Sequence, residues 1–335
     1  LGTFDQISRL SLDIDRNYGN KRVLTDFPLE HDGSKWTGTI NKLIVGFDYT
    51  ITGHAYKCTD CSIIVVGDDG TIMRSNVGEN WVRINSGTTN DLFSIIYAKQ
   101  KFISVGKAGS IITSSIGEIW TSEISNTAQT LWDITYGDNK FVAVGNEGTI
   151  LTSDNGTTWE KYTTPSQNNL FSILHVKNMF IAVGQNGEII ISYDGINWLI
   201  QNTPTSKILR DITYGDNKIV SVGLNGTIIY SDNGLTWNVA NPITSNKLMT
   251  ITYEDNFFIA AGTGVILSSN DGINWVNSES NINGILRGII KTNNNLIVVG
   301  TNGLILNIMD NGSLIDQKIT GDYTRLSSIS SKYSI

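Results

Sequence analysis

Side chains that could bind a ligand recur at two adjacent positions of a repeated segment. The first position is mostly aromatic or cationic, and the second is mostly a hydroxyl or carboxylate residue. In chain order, the first is Phe93, Trp132, Phe171, Arg210, Met249 and Arg287, and the second is Ser94, Asp133, Ser172, Asp211, Thr250 and Gly288. Rings, guanidinium groups and carboxylates on a rigid scaffold can recognise a peptide loop or a sugar. The sequence therefore predicts a ligand-binding set, which comprises Phe93, Trp132, Asp133, Phe171, Arg210, Asp211 and Arg287.

A structural role for the first of these positions is an alternative. Phe93 has the same strand parity as Ile95, and the same relation holds in the other repeats, which favours burial between sheets. Two arginines and a tryptophan are unusual choices for a core, and this favours a position at the mouth of a central funnel. On the sequence alone, both interpretations stand.

Catalysis by the two carboxylates is not expected. Glycoside hydrolysis generally uses two carboxylates about 5–9 Å apart. Asp133 and Asp211 are equivalent positions two repeats apart, which we expect to be too far. Equivalent positions also provide no acid and base with distinct environments. The sequence therefore predicts that the protein is not an enzyme and has no catalytic residues.

A metal site is suggested by one short segment. His54, Cys58 and Cys61 have the spacing with which a zinc site could begin, but a structural zinc site needs four ligands. His31 and His175 are the remaining histidines. An elaborated surface hairpin with thiols or a local disulfide is the favoured interpretation. We expect no metal and no cofactor.

Composition excludes two classes of partner. The 335-residue chain carries a net charge of −7 with 24 Lys and Arg residues, and these form no basic cluster. A phosphate-binding surface needs such clusters, so nucleic acid is not an expected partner. No apolar run approaches the 18 residues of a membrane-spanning helix, so no membrane insertion is expected.

A repeat of about 39 residues positions all of these side chains. An apolar residue followed by Gly recurs from Gly67 to Gly300, and a Trp recurs from Trp81 to Trp275, both at intervals of 39 residues with one interval of 38. Each repeat has four short strand-like segments separated by Gly- and Asn-rich turns. Four antiparallel strands repeated in this way predict an all-β propeller.

The ends of the chain predict how the ring closes. Residues 326–329 resemble the first strand of a repeat, and residues 31–36 resemble the segment before a repeat's Trp. We therefore expect one domain over residues 1–335 with eight blades. The eighth is split, with strands of residues 1–45 closing the ring with residues 325–331. The alternative is seven blades plus an N-terminal arm.

The turn before the recurrent Trp resembles a known repeat motif. Residues 152–159 read Thr-Ser-Asp-Asn-Gly-Thr-Thr-Trp, residues 230–237 are close to this, and residues 268–275 are a degenerate copy. The pattern is similar to the Asp box of sialidase-type (BNR) propellers and of photosystem II assembly-factor-type propellers. The resemblance implies a structural role for the motif residues, namely Asp154, Gly156, Trp159, Asp232, Gly234, Trp237, Gly272 and Trp275.

The resemblance also defines the rival functions. A sialidase needs three arginines around a carboxylate and a Tyr/Glu nucleophile pair. Only Arg210, Arg287 and, less clearly, Arg325 lie near first strands. The leading hypothesis is a non-enzymatic binding or assembly module for a protein or a surface glycan. It would act at a cell surface or in a phage virion or tail, as part of a larger assembly. The alternatives are a sialidase-like hydrolase and a photosystem-type assembly factor.

Overall fold

The computed structural model describes residues 9–16, 30–31, 36–37, 49–56, 62–75, 80–241, 243–254, 256–291, 296–309, 314–319 and 324–332. The chain divides into two compact units, Leu1–Cys61 and Ser62–Ile335. In the described part, the regular structure consists of strands and three-residue 3₁₀ turns. No helix in that part has the length and apolar character needed to span a membrane.

The first unit contains two antiparallel strand pairs. Strand β1 (Arg9–Arg16) pairs with β4 (Tyr49–Tyr56), and β2 (Glu30–His31) pairs with β3 (Trp36–Thr37). Most of residues 1–45 lie outside the described residues, so a single domain closed by this segment stays a prediction. Cys58 and Cys61 also lie outside the described residues.

The second unit contains five four-stranded antiparallel sheets. Each follows one sequence repeat, because the alternation of apolar residues and the Gly-containing turns recur in the same register. The first sheet has the order β30 (Leu326–Ser331), β5 (Ile63–Gly67), β6 (Ile72–Ser75) and β7 (Val82–Ile84). The next two are β8 (Leu92–Ala98), β9 (Lys101–Gly106), β10 (Ile111–Ser114), β11 (Thr121–Glu123), and β12 (Leu131–Gly137), β13 (Lys140–Gly145), β14 (Ile150–Ser153), β15 (Glu160–Tyr162). The last two are β16 (Leu170–Val176), β17 (Met179–Gly184), β18 (Ile189–Ser192), β19 (Leu199–Gln201), and β20 (Leu209–Gly215), β21 (Lys218–Gly223), β22 (Ile228–Ser231), β23 (Asn238–Val239).

The remaining sheet has six strands and spans the last two sequence repeats. Its strands are β24 (Leu248–Glu254), β25 (Phe257–Ser269), β26 (Val276–Lys291), β27 (Leu296–Gly300), β28 (Leu304–Ile308) and β29 (Leu314–Ile319). Strands β25 and β26 are 13 and 16 residues long, and each continues through a point where the other repeats turn. The sixth repeat is one residue shorter after Gly262, so Thr263–Gly264 replaces the 3₁₀ turn that follows the equivalent glycine elsewhere.

The number of blades differs from the prediction. Counted as continuous hydrogen-bonded sheets, the blades of the second unit number six. The prediction of eight blades and the alternative of seven plus an arm are therefore wrong. The cause is the continuity of β25 and β26, because a period counted from Gly and Trp positions does not show where hydrogen bonding runs on.

The C-terminal strand also has a different partner from the one expected. We expected residues 325–331 to pair with a strand from residues 1–45, but β30 pairs with β5, with Leu326 opposite Gly67. This pairing repeats that of Leu92 with Gly106 in the next repeat. Strand β30 also lies beside β8 and β26, so it closes the ring of inner strands within the second unit.

The core lies between neighbouring blades. Trp159 is 3% exposed and belongs to a cluster that joins Ile103 and Ile111 of one blade to Phe141 and Leu151 of the next. Trp198, Trp237 and Trp275 are buried in the same way. In these four repeats, the Trp side chain fills the space between neighbouring blades.

The motif turn uses different side chains from those expected. Asn155 Oδ1 accepts hydrogen bonds from the backbone N–H groups of Thr157 and Thr158, both at 2.9 Å. Asp154 instead has an 83% exposed side chain and pairs with Lys140 at 3.2 Å. Asp232 pairs likewise with Lys218 at 2.8 Å. The resemblance implied a structural role for Asp154 and Asp232, but the acceptors in these turns are Asn155 and Asn233, because the residue next to the glycine has the shorter path to those N–H groups.

Candidate functional site

A β-bulge at the start of each inner strand turns one side chain into the central funnel. Leu131 pairs with Gly145 and Asp133 pairs with Val144, so Trp132 is an extra residue without a partner in the ladder. The same shift occurs after Leu170, Leu209 and Leu286. A bulge reorients a side chain and breaks the two-residue alternation of a strand. The parity argument for burial between sheets therefore fails at these positions.

The bulges bring the predicted binding residues to a single open cavity of about 200 Å³. Strands β8, β12, β16, β20, β24, β26 and β30 surround it. The predicted residues that line the cavity are Phe93, Trp132, Asp133, Phe171, Arg210, Asp211 and Arg287. Ser172 and Ser328 were not in the predicted set but also line it.

Aromatic rings form one side of the funnel. The Phe93 and Trp132 rings stack with their centroids 4.4 Å apart, and Phe171 meets Trp132 edge-on at 5.6 Å. Trp132 Nε1 donates a hydrogen bond to Asn146 Oδ1 at 2.7 Å, which fixes the indole orientation. A ring held by its neighbours loses little entropy when a ligand binds. We call these three residues the aromatic wall.

Three arginines lie against or beside this wall. The Arg210 guanidinium carbon is 4.3 Å from the Phe171 centroid, and that of Arg325 is 5.4 Å from the Phe93 centroid. Arg325 Nε donates to Asp68 Oδ1 at 2.8 Å. Arg287 lines the same cavity. We call Arg210, Arg287 and Arg325 the funnel arginines; Arg325 occupies the position before an opening Leu, where other repeats have no arginine.

The charges of these arginines oppose one another. Burial, and then the positive charges of Arg325 and Arg210, lower the pKa of Arg287 to about 10, while the carboxylate of Asp68 opposes this decrease. Burial also lowers the pKa of Arg210. The Asp211 carboxylate opposes this decrease, and the positive charge of Arg325 adds to it. The Nε atoms of Arg210 and Arg287 are buried, and neither has a hydrogen-bond partner among the described residues. The site therefore holds desolvated positive charge with unused donors.

Asp133 is held by four hydrogen bonds. Its Oδ1 accepts from the Ser94 hydroxyl at 2.6 Å and from Ile134 N at 2.8 Å. Its Oδ2 accepts from the Ser172 hydroxyl at 2.8 Å and from Ile173 N at 2.9 Å. Burial raises the pKa of Asp133, and the hydrogen bonds, that of Ser94 first, oppose the rise. The side chain retains some solvent-accessible surface, but protein surrounds it closely enough for desolvation to dominate.

Asp211 has fewer donors, and its pKa is raised. Its Oδ1 lies 2.9 Å from the Ser172 hydroxyl and accepts from Ile212 N at 2.8 Å, while its Oδ2 accepts from Ile251 N at 2.8 Å. Burial, and then the negative charge of Asp133, raise the pKa of Asp211 to about 6.

The two carboxylates are close together, contrary to expectation. Asp133 and Asp211 both lie within hydrogen-bond reach of the one hydroxyl of Ser172, although two repeats separate them in the sequence. The inner strands converge towards the axis of the ring, so residues far apart in sequence approach one another there. Elsewhere in the described part, no three His, Cys, Asp or Glu residues are grouped as metal ligands would be.

Comparison with known proteins identifies the fold but not a family. No family model matches the chain, and no curated protein does. Among solved structures, YCF48 from Cyanidioschyzon merolae is 16% identical, with a TM-score of 0.60 over 73% of this chain and 91% of that one. YCF48 bound to D1 peptide is 16% identical, with a TM-score of 0.58 over 71% and 83%. The WD40 β-propeller domain of Doa1 is 15% identical, with a TM-score of 0.59 over 79% and 89%.

These likenesses confirm the predicted β-propeller and its similarity in fold to assembly-factor propellers. At such identities they show the fold alone. The Asp-box (BNR) resemblance has no family match and stays a prediction.

Proposed function

We propose that the chain is a non-enzymatic binding module that takes an acidic segment of a partner protein at the mouth of the funnel. The observation that carries this proposal is the group of funnel arginines, whose positive charges repel one another beside the aromatic wall. YCF48 in one similar structure has a bound peptide, and this supports a peptide-like partner. A surface glycan bearing an acid group is the alternative ligand.

An anion is the group that this surface lacks. A buried donor without an acceptor costs about 1–3 kcal/mol, and more when the donor is charged. A carboxylate can accept two parallel hydrogen bonds from one guanidinium group. Such a ligand would pair with the guanidinium groups and reduce the repulsion among the funnel arginines.

The aromatic wall favours an apolar or flat group next to that anion. Trp132 is half-buried and its ring is fixed by Phe93 and Asn146, so it presents a rigid face. Tryptophan and arginine are the residues most often found to dominate the energy of an interface. We expect Trp132 and Arg210 to be the main anchors.

The arrangement of the carboxylates supports binding rather than catalysis. All four oxygens of Asp133 and Asp211 already accept hydrogen bonds from the protein, mostly from backbone N–H groups. A catalytic acid or nucleophile needs an oxygen free to approach the reacting atom. One observation favours a sialidase-like activity, namely the convergence of three arginines. No Tyr or Glu is among the described residues that line the cavity.

The remaining parts of the hypothesis are proposals from composition alone. An extracellular or virion setting and membership of a larger assembly rest on the acidic, polar character of the chain. A photosystem-type assembly role would rest on the shared fold, and the net charge of −7 disfavours a basic docking face.

The experiment uses benzenesulfonate, which combines an aromatic ring with a permanently ionised anion, and benzylammonium as the control of opposite charge. Binding is followed by NMR on the Nε–Hε signals of the arginines. We expect the wild type to bind the anion and not the cation. Trp132→Ala and Arg210→Ala should each weaken binding by more than about fivefold, or about 1 kcal/mol.

Lys161→Ala is the matched control, because it removes an exposed cation from the outer strand β15. It should bind the anion as the wild type does. Normal binding by the Trp132→Ala/Arg210→Ala double variant would make the funnel the wrong surface and direct attention to the outer blade edges. Turnover of a sialoside or another glycoside by the wild type would overturn the non-enzymatic proposal.

A further inference from the structure

One serine hydroxyl in the funnel lies within hydrogen-bond distance of two carboxylate oxygens. Ser172 Oγ lies 2.8 Å from Asp133 Oδ2 and 2.9 Å from Asp211 Oδ1. A serine hydroxyl can donate only one hydrogen bond, although it can also accept. If both carboxyl groups were ionised, one of these two contacts would place lone pairs against each other. Both contacts are hydrogen bonds only when one carboxyl group carries a proton.

The surroundings place that proton on Asp211. Asp133 receives hydrogen bonds from two hydroxyls and two backbone N–H groups. Asp211 receives two hydrogen bonds from backbone N–H groups, and it shares the Ser172 hydroxyl with Asp133. Hydrogen bonds to a carboxylate stabilise its ionised form, so Asp133 stays ionised more readily. Ser172 then donates to Asp133, and protonated Asp211 donates to Ser172.

We propose that anion binding in the funnel is coupled to proton uptake by Asp133, Ser172 and Asp211. This inference rests on the proposed function, since it describes the regulation of that same site. The ligand class is an anionic group that contacts the funnel arginines. Binding of the anion and protonation of Asp211 favour each other, because the negative charges of the anion and of ionised Asp211 would repel one another in the funnel.

The charged groups around Asp211 come from four inner strands or their starts. Asp133 approaches from β12, Arg210 is the preceding residue on β20, Arg287 lies on β26, and Arg325 lies just before β30. Strands β16 and β24 contribute Ser172, Thr250 and the backbone of Ile251, which do not titrate. Arg210 stabilises ionised Asp211 while the funnel is empty. A bound anion neutralises the positive charge of Arg210 and adds a negative charge, so it disfavours that ionised form.

The direction of the pH effect follows from this relation. The pKa of Asp211 is about 6 in the free protein and rises when the anion binds. Above the raised value and well below 6, affinity does not change with pH. Between the two values, affinity increases as the pH falls. A rise of one unit on binding makes the complex about tenfold tighter on the acid side than on the alkaline side.

The test measures benzenesulfonate affinity at about pH 5 and about pH 8, on either side of the Asp211 pKa of about 6. The wild type should bind several-fold more tightly at the lower pH. Asp211→Asn keeps a donor towards Ser172 and cannot titrate, so its affinity should be the same at both values and close to that of the wild type at the lower one. Asp216→Asn removes one carboxylate from the exposed turn after β20, and it should retain the wild-type pH dependence.

The outcomes separate this inference from the proposed function. Equal wild-type affinity at both pH values overturns the coupling and leaves the binding module standing. A pH dependence that Asp211→Asn retains also overturns it. No binding at either pH overturns the proposed function and the coupling together. A carbon-13 NMR titration of the Asp211 carboxyl group provides a check independent of ligand, since an ordinary aspartate pKa there would overturn the shared proton.

Discussion

The hydroxyl oxygen of Ser153 accepts a hydrogen bond from the backbone N–H of Gly156 at 2.8 Å, and this contact closes the turn that ends the third strand. The same relation joins Ser192 to Gly195 at 2.9 Å and Ser231 to Gly234 at 2.8 Å. The N–H concerned is buried, so water cannot replace the serine oxygen. The stability of the turn therefore depends on the serine of the motif and not on its exposed aspartate.

Ser153→Ala should destabilise the protein, because it leaves the Gly156 N–H buried and unpaired. We expect a loss of about 1–3 kcal/mol in the free energy of unfolding, measured by urea denaturation. Asp154→Ala is the control at the neighbouring position. It removes only an exposed ion pair with Lys140 and should cost less than about 1 kcal/mol. A larger loss from Asp154→Ala than from Ser153→Ala would restore the aspartate as the key residue of the motif.

Gly156→Ala should be destabilising for two independent reasons. Gly156 has a φ of 78°, a backbone conformation that residues with a side chain rarely adopt. An added Cβ would also lie 2.4 Å from Ile103 Cδ1 of the preceding blade. The expected loss is about 1–3 kcal/mol in the free energy of unfolding. Gly87→Ala is the comparison, because its φ is 74° but nothing lies within 4 Å of the added Cβ. A similar loss at both positions would show that the contact with Ile103 contributes nothing.

Trp159→Ala should cost about 3–5 kcal/mol of unfolding free energy, since it opens a cavity between two blades. Trp132→Ala removes the same side chain from the open funnel and should cost clearly less, because Trp132 is half-buried and Trp159 is 3% exposed. Equal losses in urea denaturation would mean that the aromatic wall is part of the core. In that case, a binding role for Trp132 could not be separated from a structural one.

The strands could be predicted well from the sequence. The repeated Gly marks a turn in each repeat, and the repeated Trp marks the space between two blades that its side chain fills. The alternative reading misplaced Trp132 because the parity argument assumes unbroken alternation, and a bulge breaks it. The bulge leaves no signature in residue type, since the extra residue is a Phe, Trp, Arg, Met or Ser.

Two further errors have geometric causes. The 38-residue interval after Gly262 was the only sign that a hairpin had lost its 3₁₀ turn, and it did not reveal that hydrogen bonding continues through two repeats. The distance between Asp133 and Asp211 was overestimated because spacing around a ring shrinks towards its axis. The sequence gives the order of the inner strands but not the radius at which each side chain lies.

Asp271 should make the protein sensitive to acid. Burial tends to raise its pKa, but hydrogen bonds from Asn274 and Ile273 lower it to about 2. A carboxylate with a lowered folded pKa contributes stability above its unfolded value of 3.8, and this is lost as the pH falls towards 2. Asp271→Asn keeps the acceptor without titrating, as Asn155 does in the third repeat.

The variant should therefore lose less stability than the wild type when unfolding is measured at decreasing pH below 4. The difference should be below about 1 kcal/mol, since the side chain is partly solvated. A steeper acid loss in Asp271→Asn than in the wild type would contradict the lowered pKa.

Asp211 should have the opposite effect on stability. Its folded pKa of about 6 lies above its unfolded value of 3.8, so between these values the folded protein holds a proton that the unfolded chain has released. Stability from this group therefore falls as the pH rises from about 4 to about 6, and it stays low above that.

Asp211→Asn keeps a hydrogen-bond donor towards Ser172 and removes the titration. Relative to the wild type, the variant should gain about 1–2 kcal/mol of unfolding free energy between pH 5 and pH 8. Urea denaturation at the two pH values measures this gain, and Asp216→Asn should show none. If Asp211→Asn instead became less stable relative to the wild type at the higher pH, the carboxylate would be ionised and favourable in the folded funnel, and the shared proton would be lost as an explanation of the Ser172 contacts.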